Sequence, residues 1–284
     1  MIQLKKIDFL FFGYVFITSI LLFFSWNTID KSLELFLTRG LLLGLGILLI
    51  YFDSKTKNTL INLLRNCYPI LFSMLLYTET VFYNNLFFNN LDQYLIDLDF
   101  QLFGFQPSIK FSEHFSQPFF SELMYLGYFS LYILIISFVF ISYIKLKKDS
   151  EELFFKLAAS MLLFYLFFCF FPAAGPQFYF ESPKKELPTA FVFDKIMHLI
   201  QKAEQPTGAF PSSHVGISLI ILILFRKRVP NYFRVTIPFV ILLIFSTVYI
   251  KAHYAVDAIA GVLSVPIVLY ISNLLYKKIP EFKL

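Results

Sequence analysis

Eight apolar stretches, near residues 8–26, 34–52, 67–84, 119–144, 153–171, 212–226, 232–250 and 253–276, occupy most of this 284-residue chain. A spanning helix needs about 20 apolar residues, so stretches of this length and number describe a polytopic membrane bundle. Hydrophobic residues make up 58% of the chain and charged ones 15%, which excludes both a soluble globular domain and a disordered one. Two cysteines cannot staple a disulfide scaffold, and a net charge of +5 is read as loop asymmetry rather than a nucleic-acid face. The basic stub Met1–Lys6 before the first stretch resembles a secretory leader. No small-x-small site follows, so the stretch is read as an uncleaved helix. The sixth stretch is the shortest, and a packed bundle tolerates it with Ser212 and Ser213 in the headgroup layer.

Lys and Arg set the orientation. With the N-terminus inside, the inner segments hold Lys5, Lys6, Lys55, Lys57, Arg65, Lys145, Lys147, Lys148, Arg226, Lys227, Arg228, Arg234, Lys277, Lys278 and Lys283. Both termini are therefore expected in the cytoplasm. Cys67 and Cys169 then fall at opposite faces and are not expected to pair. Two outer segments, 85–118 and 172–211, are too long for turns. The first contains Leu91–Phe105, with Asp92, Asp97 and Asp99 among apolar residues, expected as an amphipathic helix on the membrane surface. The second is broken repeatedly by proline. With no repeat or linker in sight, residues 1–284 read as one integral membrane domain.

Four histidines occur, and two of them open apolar stretches at the outer face. In Gly208-Ala209-Phe210-Pro211-Ser212-Ser213-His214, proline suits a first helical turn and serine hydroxyls suit free backbone donors. Such a helix start attracts anions, phosphate among them. In Lys251-Ala252-His253-Tyr254-Ala255-Val256-Asp257, histidine and aspartate four apart share a helical face, where the carboxylate can hold one imidazole nitrogen and leave the other as base or nucleophile. One span down and one back returns both histidines to the same side. Tyr125, Tyr128 and Tyr132, with Glu122 a turn before, line one side of the fourth stretch and are expected in the core or at the interface, with contact to substrate lipid as the alternative. His114 and His198 carry no signature and form no metal set with the other two.

Pro211-Ser212-Ser213-His214 and Ser246-Thr247-x5-His253-x3-Asp257 resemble the second and third signatures of the type 2 phosphatidic acid phosphatase superfamily, P-S-G-H and S-R-x5-H-x3-D. Residues 208–214, His253-Tyr254-x-x-Asp257, Phe171–Gln177 and Leu98-Asp99-x-x-Leu102-Phe103-Gly104-x-x-Pro107 are similar to its inositol phosphorylceramide synthase-like branch. The resemblance spans roughly residues 90 to 262. It implies an all-α membrane bundle with a phosphatidic acid phosphatase/haloperoxidase-like core in the C-terminal part. Residues 91–276 would form that core, and 1–90 three accessory spans with their connections. It further implies that His253 attacks phosphorus, Asp257 orients and charge-balances it, His214 protonates the leaving oxygen, and Ser212 and the helix amides hold phosphate oxygens. The K-x6-R-P element has no counterpart, the signature arginine is Thr247, and the synthase-like P-R is Pro176-Gln177. Positive charge is then expected from Lys251, with Lys184 and Lys185 behind it and Gln177 as a neutral donor; Ser213 completes the expected phosphate set.

The expected activity is an outer-leaflet lipid phosphate phosphatase working through a phosphohistidine, with no cofactor and no metal. Its expected partners are a lipid phosphate or phosphodiester substrate and membrane lipids, and no nucleic acid. The alternative is transfer of a head group to an alcohol. A proton-coupled transporter using His253 and Asp257 is the remote rival, because transporters place polar groups near the midplane in paired halves, whereas here they cluster at helix ends.

Overall fold

A computed structural model describes residues 3–280, 282 and 283. Its helices are α1 (Lys6–Phe24), α2 (Ser32–Lys55), α3 (Thr59–Glu79), α4 (Asp92–Phe103), α5 (Pro107–His114), α6 (Pro118–Lys145), α7 (Ser150–Phe168), α8 (Pro176–Tyr179), α9 (Phe193–Ala203), α10 (Ser213–Phe225), α11 (Pro230–Tyr249) and α12 (Ala255–Lys278). Six are long and apolar enough to cross a membrane: α1, α2, α3 with its 3-10 extension to Phe82, α6, α11 and α12. The other two of the eight expected spans are α7 and α10. Helix α7 is 19 residues long but carries Glu151, Glu152 and Lys156 near its start. Helix α10 has only 13 residues, about 20 Å at 1.5 Å per residue.

Both helices sit where protein rather than lipid surrounds them. Helix α7 packs against α1, α3, α10 and α12, while α10 packs against α6, α7, α11 and α12. Phe154, Phe155 and Phe168 of α7 and Ile220 and Phe225 of α10 are fully buried. Lipid tails are as apolar as leucine, so close packing of this kind, rather than water exclusion, holds a membrane bundle together. A short helix packed among longer ones in this way is held in the bundle without spanning the bilayer by itself.

Strands β1 (Gln3–Leu4) and β2 (Phe282–Lys283) pair antiparallel and bring the two ends of the chain together. Helix α12 runs from the His253 turn to that end, so the two histidines lie at the end of the bundle opposite both termini.

Three expectations change in detail. Arg65, placed with an inner loop from sequence, lies inside α3, which starts at Thr59 because Asn58 caps it, accepting from Leu60 N and Ile61 N at 2.8 and 3.2 Å. Its charge is tolerated there because it pairs with Asp8 of α1, whose other oxygen takes the Tyr68 hydroxyl at 2.9 Å; a buried ion persists where it has such partners. Helix α4 is amphipathic, but turned over relative to a surface helix with its acids in the headgroups. Asp92 and Asp99 are fully buried against the protein, while Tyr94, Leu98, Phe100 and Leu102 face outward. Pro211 is not in the first turn of α10. Ser212 is the N-cap and Pro211 precedes it, after a cis peptide bond. Cys67 and Cys169 are free and buried.

Candidate active site

His214 and His253 meet. Nδ1 of His214 lies 3.3 Å from Nε2 of His253, with the rings edge to face at a centroid distance of 5.3 Å. Two helix starts bring them together. Ser212 Oγ accepts from Val215 N at 3.4 Å and opens α10, and Asp257 Oδ2 accepts from Tyr254 N at 2.7 Å and opens α12. The starts are tied directly, since Ser212 N donates to the Asp257 carbonyl at 3.0 Å. Among the described residues, the amides of Ser213 and His214 donate to no protein acceptor and the Ser213 hydroxyl is unengaged, which leaves donors for an anion at the positive end of α10.

The nitrogen that holds His253 is not held as the sequence spacing suggested. Nδ1 donates to the Ala209 carbonyl at 2.7 Å, and Asp257 Oδ2 stands 3.7 Å away. Helix α12 begins after His253, so the i, i+4 relation does not put the two side chains on one helical face, and the carboxylate serves as the helix cap. A carbonyl can only accept, so the proton is on Nδ1 and the lone pair is on Nε2. Burial pulls the pKa of His253 down from 6.5 to about 4, against the opposing pull of the Ala209 bond and the Glu204 charge. The ring is thus neutral at pH 7, the form a nucleophile requires.

Lys251 is not brought to the histidines. Its Nζ donates to the carbonyls of Lys184 and Glu186 at 2.6 and 2.5 Å, and the residue is buried with φ +63°. Burial lowers its pKa, with Glu113 and Glu186 opposing. Its amine is used up anchoring the 184–186 loop, and Lys184 and Lys185 are themselves exposed. Among the described residues, no Lys or Arg side chain bonds to His214, His253, Ser212, Ser213 or Gln177.

In that place stands a residue the sequence reading did not single out. Glu204 Oε2 accepts from Gln177 Nε2 at 2.6 Å, and Oε1 accepts from the Tyr128 hydroxyl at 3.1 Å. Tyr128 in turn stacks on His214 at 4.6 Å between centroids. Tyr128 therefore borders the histidine pair as well as the core, whereas Tyr125 bonds the Pro188 carbonyl. Glu122 takes the amides of Phe191, Val192 and Phe193 ahead of α9, and His198 pairs with Asp194 at 2.6 Å. A glutamate just after a short helix in a long loop carries no signal of its own, and a backbone acceptor such as Ala209 carries none in side-chain type.

Helix α4 braces the arrangement from outside. Asp92 accepts from Ala174 N and Gly175 N, each at 2.7 Å, and from the Tyr254 hydroxyl at 2.9 Å. Asp99 accepts from Ala255 N at 3.1 Å, Val256 N at 2.9 Å and Gln106 Nε2 at 2.8 Å. Gly175, at φ +94°, lets the 172–177 loop pass close to Ala252. From the other side, Gly261 of α12 lies so near α10 that a Cβ there would stand 2.7 Å from the Ser212 carbonyl oxygen. Gly261→Ala is accordingly expected to push α10 from α12, costing about 1–3 kcal/mol. The resulting misplacement of His214 is expected to lower turnover about 10²-fold. Thermal unfolding and rate assays on the purified variant test both.

The arrangement is thus a helical membrane protein with two histidines and a helix N-terminus converging at one end of the bundle. A profile of the PAP2 superfamily matches residues 93–271, and the chain belongs to that superfamily. Its phosphatase- and phosphotransferase-type members support an enzymatic role of the same type. No curated protein and no solved structure matches the chain.

Proposed function

We propose that this protein cleaves a phosphoester of a membrane lipid, with His253 as nucleophile and water as the acceptor. The observation that carries the reading is the Nδ1 bond of His253 to the Ala209 carbonyl, which leaves an uncharged Nε2 lone pair directed at His214 beside free helix amides. His214 is the group placed to give a proton to the leaving oxygen, and Asp257, at 3.7 Å from Nδ1, balances charge as His253 gains its bond to phosphorus. The Ser213 and His214 amides, with the hydroxyls of Ser212 and Ser213, serve the non-bridging oxygens.

Reaction needs a phosphorus about 3–3.5 Å from the attacking nitrogen. Nitrogens already 3.3 Å apart leave no room between them, so substrate entry parts the two rings. The distribution of Lys and Arg supports cytoplasmic termini, and the site at the opposite end of the bundle then faces the extracytoplasmic side. The motif resemblance to the synthase-like branch supports a second reading, in which an alcohol replaces water.

A phospholipid labelled at phosphorus tests the chemistry. Acid-labile, alkali-stable label is expected on the wild-type protein and none on His253→Ala, with phosphorus released when no alcohol is added. Release that depends strictly on an added alcohol points to transfer, and absence of label with turnover intact refutes the phosphohistidine.

A further inference from the structure

Phosphoryl transfer gains from positive charge around the phosphate oxygens, yet here the carboxylate of Glu204 lies behind Tyr128, whose ring stacks on His214, and Lys251 is turned away. A phosphomonoester dianion would meet the Glu204 carboxylate with only neutral donors in return. A phosphodiester bears one negative charge, which amides can satisfy, and a head group that ends in an amine brings the compensating cation with it.

Glu204 is suited to receive that cation. Each of its oxygens takes one bond from the protein, from Tyr128 and from Gln177, and each retains a second acceptor direction. Glu204, Gln177 and His214 are all half-buried, and Tyr128 links the first to the last, its hydroxyl on Glu204 and its ring on His214. A carboxylate beside an aromatic ring, as Glu204 is beside Tyr128, is the chemistry that holds organic ammonium ions.

Resting on the phosphoester reading above, we propose that the substrate is a zwitterionic phospholipid whose phosphate binds at the start of α10 and whose head-group ammonium is seated on Glu204 beside Tyr128. Nε2 of His253 forms a bond to phosphorus as the phosphorus–oxygen bond to diacylglycerol breaks, that oxygen keeping the electron pair and taking a proton from His214. Water then bonds to phosphorus and yields its proton to His214. The nitrogen–phosphorus bond breaks, the lone pair returns to His253, and the phosphorylated amino alcohol leaves.

The test is diacylglycerol release by the full chain from phosphatidylethanolamine, phosphatidylcholine, phosphatidylglycerol and phosphatidate of matched acyl chains. Wild type is expected to favour the two ammonium lipids by about tenfold or more in kcat/KM, and Glu204→Gln to shrink that ratio by about tenfold. Glu204→Asp, which keeps the charge, is expected to retain the preference. Equal wild-type rates on all four lipids, or a Glu204→Gln loss that is uniform across them, overturn the ammonium subsite and leave the phosphoester reading standing. Turnover that persists in His253→Ala, or no release from any lipid by wild type, removes the phosphoester reading and this inference with it.

Discussion

Replacing His253 with alanine is expected to lower lipid phosphoester turnover by at least about 10³-fold, because the nucleophile that divides the reaction into two steps is gone. The fold should survive. The ring packs at the turn between α11 and α12, and what is lost on truncation is the bond to the Ala209 carbonyl and the Nε2 contact with His214. Thermal unfolding should therefore move little while the rate collapses, and a rate within tenfold of wild type would dismiss His253 as nucleophile. The same assignment predicts the acid limb of the wild-type profile. His253 is neutral above its depressed pKa of about 4 and protonated below it, so kcat/KM should fall as pH drops through that value, not through the ordinary histidine value of about 6.5.

Truncating Asp99 to alanine should act in the opposite manner, on stability first. Its buried carboxylate receives Ala255 N, Val256 N and Gln106 Nε2, and the two amides are first-turn donors of α12 with no partner in their own helix. Burial raises the carboxyl pKa, and the bonds from Val256, Ala255 and Gln106 oppose that rise. Removing it leaves the two amides without an acceptor, each costing about 1–3 kcal/mol, in a segment two residues from His253, and leaves Gln106 Nε2 with Ser108 Oγ alone. We expect a total loss of about 3 kcal/mol or more, seen as a large drop in unfolding temperature. Asp99→Asn keeps one acceptor oxygen and should fall between the two. An Asp99→Ala protein as stable as wild type would show that α4 does not brace the site.

Much of this was legible in the residues themselves. Span length against bilayer thickness marked out eight helices, including the 13-residue α10, since hydropathy does not depend on what the helix touches. Serine at 212 announced its cap because the N-cap bond is local. The helix starts at 213 and 255, one hairpin apart, implied that His214 and His253 return to one end.

Roles that depend on contacts remote in sequence were decided only by the tertiary structure. Lys251 looked like the phosphate cation by position, but its amine finds the 184–186 carbonyls first. Asp257 looked like the histidine's hydrogen-bond acceptor by spacing, but the Ala209 carbonyl takes Nδ1 at 2.7 Å while the carboxylate caps α12 and stands 3.7 Å off. Ala209, Glu204 and Tyr128 reach the site from three other segments, as a backbone carbonyl, a loop carboxylate and a face of α6. Hydropathy and capping are short-range and written in residue type, whereas a hydrogen-bonding group goes to whichever partner the folded chain brings nearest, and only the assembled bundle sets that distance.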